Sequence, residues 1–429
     1  MKIRELNCTT RYKYVFKRIV AAMLFLTLDA IAAPSADQDN VREIARKVLR
    51  TVNERLEREF MSHDGLLLDY VGEIPTPKDI AELRPNAMGW WCPIENGSMF
   101  TGEWLPALMR EGAERRYLVE RCVRGLIKMS EVSDVPGFIA RGTASDLKSH
   151  HPCGSNDQTD PWFLGLIEYC KWEFAEPALR RNALERLVFT AKALEKNSWK
   201  IPCDGVFKGE NRGNMLSPGM PFWALTRYMY MLKSLYDLTG DEHWGNLYED
   251  VKEKRLAEIG QGAEIDAKRF KQAYGDCVWI YLASSQTLEQ LIKIETNAAH
   301  RAVLAKGFKD FAFRVAPLMK NRAAYDNKVL ERPFKYANWR TGYKWRIQKT
   351  QKDAQEVAFS PIRRILGKRK QYERHGMANP LTAAAICAMQ GDESFRDEIV
   401  ATLLHYDYST PNISEFFHAA IAAAALLDD

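Results

Sequence analysis

Two carboxylates, Glu95 and Asp157, have the type and spacing to do chemistry together. Asp157 lies in His150–Tyr169, HHPCGSNDQTDPWFLGLIEY. There two histidines, a small-residue turn and the polar set Asn156, Asp157, Gln158 and Asp160 precede an apolar run. Asp160 followed by Pro161 predicts a helix start, with Asp160 as cap and the proline at the first helical position. Asp157, three residues further out, has no such duty. Glu95 holds a similar place in Met88–Phe100, MGWWCPIENGSMF, with Asn96 beside it and Trp90 and Trp91 ahead. A carboxylate before a buried helix must be solvated or partnered. Glycoside hydrolysis uses such a pair: one carboxylic acid protonates the leaving oxygen while the other carboxylate activates water or attacks. The tryptophans offer flat surface for sugar rings. The plainer alternative makes them core and Asn96 a cap.

Other candidates surround this pair. His150 and His151 are read as bases or substrate contacts, and Gln158 as a substrate contact. Tyr274 and Asp276 head a later helix, as His375 and the expected cap Asn379 head another. Asn412, Ser414, Glu415 and His418 do so for the last. No CxxC pair or zinc-type spacing occurs among the eight cysteines, so neither metal nor cofactor is expected. Beyond Cys8, the cysteines read mostly as core thiols, with one disulfide left open.

The elements that must position these residues are helices. Helical windows fall at Val41–Met61, Ser98–Glu111, Ala113–Val132, Asp160–Glu173, Glu176–Asn197 and Pro218–Leu238. They continue at Asp241–Ile259, Asp276–Ile294, Asn297–Lys320, Pro380–Met389, Glu393–Tyr406 and Ile413–Leu427. Odd-numbered windows are amphipathic and charge-rich. Even-numbered ones, such as NPLTAAAICAM, are apolar all round and therefore buried. Trp162, Trp223 and Ala384 are accordingly expected inside, and Arg124, Arg186 and Lys252 towards water. Short links with a Gly-acid flavour, as at Gly112, Gly240 and Gly391, join even to odd windows. Long loops join odd to even. Six such hairpins predict an all-α (α/α)6 toroid over 33–429, with an apolar inner ring and an amphipathic outer ring. All long loops then share the face where the inner helices begin. An open α-solenoid is the alternative.

With WWCPIENGSMFTGEWL (Trp90–Leu105), SNDQTDPWFLGL (Ser155–Leu166) and GMANPLTAA (Gly376–Ala384), this pattern resembles the six-hairpin toroids of carbohydrate-active enzymes. These include unsaturated glucuronyl hydrolases, other glycoside hydrolases and toroid polysaccharide lyases. The resemblance implies that Asp157, at the head of an inner helix, takes the acid role.

The 429 residues, 46% apolar, build a large core, and a net charge of +5 is too mild to argue for nucleic acid. The segment Lys328–Gly376 is locally basic and interleaved with aromatics, Arg340 and Trp345 among them. It is read as holding an acidic oligo- or polysaccharide. The basic start and apolar run Ile19–Leu28 predict a cleaved signal peptide over 1–32. The mature chain is then periplasmic or secreted, with no stable membrane insertion. The expected function is hydrolysis of an acidic oligosaccharide by Asp157 and Glu95, with His151 as a further catalytic candidate. The runner-up is a lyase using His150 or His151 with Tyr274. A non-catalytic glycan-binding or scaffold protein is the third reading.

Overall fold

A computed structural model describes residues 38–216, 221–274, 278–328, 339–340, 345–359 and 372–428. The predicted leader therefore lies outside the described residues, as do Asp276, positions 329–338, 341–344 and 360–371 of the basic segment, and the side chain of Tyr274. Among the described residues the helices are α1 (Gln38–Glu59), α2 (Pro77–Ala81), α3 (Gly97–Met109), α4 (Arg116–Met129), α5 (Asn156–Lys171), α6 (Pro177–Lys196) and α7 (Pro221–Thr239). There follow α8 (Glu242–Tyr274), α9 (Leu282–Ile294), α10 (Ala298–Val315), α11 (Gln351–Ala358), α12 (Asn379–Gln390), α13 (Arg396–His405) and α14 (His418–Ala425). One antiparallel ribbon, β1 (Lys200–Pro202) with β2 (Asn211–Asn214), interrupts them. Among the described residues the fold is mostly helical, consistent with an all-α chain, and every expected window holds a helix. No helix among the described residues is long and apolar enough to cross a membrane.

Burial follows the two kinds of sequence. In α4, Leu118, Val119, Cys122, Val123 and Leu126 are buried, while Arg116 and Arg124 meet Glu120 at the surface. In α12 every residue from Asn379 to Ala388 is buried. The apolar helices pack in succession, α3 on α5, α5 on α7, α7 on α9, α9 on α12 and α12 on α14, and α14 packs back on α3. Each has an amphipathic neighbour: α4 on α3, α6 on α5, α8 on α7, α10 on α9 and α13 on α12. Helix α1 joins through Asn53, which accepts from Trp104 Nε1 at 2.8 Å. The α3–α5 contact is backbone to backbone. A Cβ on Gly165 would stand 2.9 Å from the Gly102 Cα, and one on Gly102 would overlap the Pro161 carbonyl. The short links turn on left-handed glycines, with φ of 68° at Gly240 and 79° at Gly391. A Cβ at either would meet nothing within 4 Å.

Four local expectations are corrected. Helix α5 starts at Asn156, capped by Ser155, whose hydroxyl accepts from the Asp157 N–H at 3.2 Å. Asp160 is therefore inside the helix, and its carboxylate turns to Arg227 of α7 at 2.9 Å. Asn379 is no cap either, because a π-helical turn, Arg374–Ala378, runs straight into α12. Helix α8 continues past Ile259 to Tyr274. Lys252, expected in water, is 8% exposed, with its ammonium held by Glu249 and Glu295.

The long loops form a layer with a small core of its own. Ala87 and Met88 of the first loop, Cys153 of the second, Cys203 and Phe207 beside the ribbon, and Ala354 of α11 are packed together. The Trp91 indole donates to the Ala358 carbonyl at 2.8 Å, and the Ala87 N–H to the Gln348 side chain at 2.8 Å. The first and last loops meet where the Ser414 N–H donates to the Asp69 carbonyl.

Candidate functional site

Glu95 lies two residues before α3 and Asp157 in the first turn of α5, so the backbone contact between these helices sets both at one end of a packed pair. Their neighbours lock that end. Asn96 donates its side-chain amide to Asp69 at 2.7 Å and accepts from Gln158 at 3.2 Å, and Gln158 accepts from the Met99 N–H. Asn96 stands at the N-cap position without capping, because its side chain is spent on these ties. Gln158 is fully buried, which removes it from contact with a substrate. Glu95 and Asp157 are half-buried. The Glu95 carboxylate accepts from the Trp91 N–H at 2.9 Å.

Between them is a residue the sequence did not single out. Arg141 is 2% exposed and donates Nη1 to the Glu95 carbonyl at 3.0 Å, while its Nε and Nη2 have no hydrogen-bond partner among the described residues. Burial, and then the neighbouring Arg212, hold its guanidinium below the usual range, whereas Asp157 and Glu95 favour its charge. Arg212, on β2, donates to the Gly154 carbonyl at 3.0 Å and lies over the Trp90 ring at 5.6 Å. Trp90 meets Phe359 edge to face. A half-open pair of carboxylates, a buried arginine with donors to spare and a tryptophan–arginine wall therefore share one neighbourhood.

Acidic groups continue beneath Asp157. Asp160 and Glu103 are buried, each with one carboxylate oxygen unpartnered among the described residues. Burial raises the Asp160 carboxyl to about 6 against the pull of Arg227. Burial also pushes Glu103 well above the carboxylate range.

The histidines do not serve as expected. His151 is 1% exposed, beside the Cys92 sulfur, and burial followed by Arg141 lowers it to about 3. It is neutral and sealed from substrate, which removes it as the catalytic base. His150 engages both ring nitrogens, with Asp204 at 2.8 Å and the Lys148 carbonyl at 3.0 Å. His375 is exposed on the π-helical turn. Asn412 and Glu415 tie the last loop to Glu373 and Arg374, and His418 is buried against Thr382.

The described arginines of the basic segment make ion pairs within the protein. Arg340 bridges Glu73 and Asp79 and lies over Trp339, Arg346 pairs with Asp353 and Glu356, and the Trp345 ring is covered by Arg84. These charges are spent within the protein, by partners such as Glu73 and Asp79 that lie far away in sequence. A cavity of about 380 Å³ lies elsewhere, lined by Leu164, Glu168 and Trp172 of α5 and its end, with Gln286, Glu289 and Ile421. It is near the C-terminal end of α5, a helix length from Asp157, and takes in none of the candidate pair. No family model, curated protein or solved structure matches the chain.

Proposed function

We propose that this chain is an exported glycoside hydrolase of (α/α)6 toroid architecture acting on an acidic oligosaccharide. The return of α14 onto α3 supports a closed inner ring. What carries the functional reading is the pair of half-buried carboxylates, Asp157 and Glu95, with the half-buried guanidinium of Arg212 held on the Gly154 carbonyl and over the Trp90 ring. A planar fork of this kind suits the two oxygens of a carboxylate or sulfate. In this reading Arg212 holds the acid group, Trp90 supports the ring, and the buried Arg141 braces the Glu95 backbone from behind. Asp157 protonates the leaving oxygen and Glu95 acts as the second carboxylate. Of the groups in the lyase alternative, His151 is sealed and His150 has both nitrogens engaged, while the Tyr274 side chain lies outside the described residues.

The test incubates the full chain with uronic acid-containing and sulfated oligosaccharides, following reducing ends and ultraviolet absorbance. New reducing ends without a conjugated double bond support hydrolysis. New absorbance supports the lyase instead, and binding without either product leaves a glycan-binding protein.

A further inference from the structure

Pro152, Cys153 and Gly154, just ahead of α5, run beside Pro202, Cys203 and Asp204 in opposite directions. The Asp204 N–H donates to the Pro152 carbonyl at 2.7 Å, and Gly154 lies so close to Pro202 that a Cβ there would overlap the Pro202 carbonyl. That register sets Cys153 directly across from Cys203, at the position next to a hydrogen-bonded pair. Opposed residues of an antiparallel pair approach most closely there, with Cα atoms about 4.5 Å apart. Disulfides span Cα separations of about 4.4–6.8 Å. Both side chains are fully buried in the loop-layer core, and both are thiols. The two thiols act on each other, Cys203 pushing Cys153 up and Cys153 pulling Cys203 down.

We propose that Cys153 and Cys203 form a disulfide that fastens the loop carrying Asp157 to the β1–β2 ribbon. The oxidant is a disulfide such as oxidised glutathione. The Cys203 thiolate attacks one of its sulfurs, forming a mixed disulfide and expelling one glutathione thiolate. The Cys153 thiolate then attacks the Cys203 sulfur and expels the second. Two cysteine protons are released, and the two electrons end on the two glutathione thiolates. The exchange takes place as the chain folds, because both sulfurs are covered afterwards. It does not depend on the catalytic reading.

The full chain is refolded in a glutathione redox buffer, denatured, alkylated without reductant and digested. A peptide linking Cys153 to Cys203 is expected, with Cys92, Cys122, Cys170 and Cys387 alkylated. Alkylation of both Cys153 and Cys203, or linkage of either to another cysteine, overturns the proposal. In a second measurement, reductant should lower the thermal midpoint of the oxidised wild type by a few degrees and leave Cys153→Ala/Cys203→Ala unmoved. An equal shift in both also overturns it.

Discussion

The side chains of Asn96 and Gln158 meet at 3.2 Å, and each stands next in sequence to one of the two candidate carboxylates. Asp69 holds the other end of Asn96, so a buried polar chain fixes how the heads of α3 and α5 face each other. Asn96→Ala removes the side-chain bond to Asp69 and takes from the buried Gln158 amide its acceptor, and should cost about 1–3 kcal/mol. Urea unfolding would measure it. A variant as stable as wild type would show that this chain does not set the geometry.

Asp157→Asn should reduce turnover by at least about a thousandfold while substrate affinity stays within a few fold, since only the proton-transfer step is lost. Its urea midpoint should barely change, because no described hydrogen bond is made by its carboxylate. Retained turnover would remove Asp157 from the chemistry.

Arg212 and Arg340 separate two views of acid recognition. Arg212→Lys keeps the charge and loses the planar fork, so KM for an acidic substrate should rise about tenfold or more. Arg340→Gln should leave KM unchanged, because that guanidinium serves Glu73 and Asp79. The reverse pattern, with KM responding to Arg340 and not to Arg212, would return recognition to the basic segment.

Gly102→Ala drives a methyl into the Pro161 carbonyl. The helices must separate, and overpacking of this kind costs about 1–3 kcal/mol or more. A thermal midpoint equal to that of wild type would contradict backbone contact between α3 and α5.

His151, lowered to about 3 by burial and then Arg141, is neutral in the folded chain but charges when unfolded below about pH 6.5. Its contribution is therefore present above pH 6.5 and is lost as pH falls towards 3. At pH 5 the loss is about 2 kcal/mol. His418, lowered to about 4, adds in the same direction, while Asp160, raised to about 6, works against both. His151→Gln should thus flatten the fall in urea midpoint between pH 7 and pH 5. Parallel profiles for the two proteins would show that His151 is not the source.

The helical plan was legible because burial on all sides and burial on one side leave different residue patterns, and α12 against α4 displays the contrast. The Gly-acid links were legible too, as glycine suits the left-handed turn that ends a helix. The site was less so. Asp160-Pro161 satisfies a local capping rule, but Ser155 caps five residues earlier and Arg227 claims Asp160 through tertiary contact. Arg141 sits in RGTASD, a loop without periodicity, and only burial marks it. Arg340 looked available because Glu73 and Asp79 lie more than 250 positions away.

The glycine turns at 240 and 391 close the ends of α7 and α12 that lie away from where those helices begin. With 19 residues in α7, its two ends are about 28 Å apart. A tether, dye or fused domain joined at Gly240 or Gly391 meets open space and stays a helix length from the loops that enter these helices. Such a graft would anchor the protein to a surface with its loop layer facing the solution, ready for immobilised assays on long polymeric glycans.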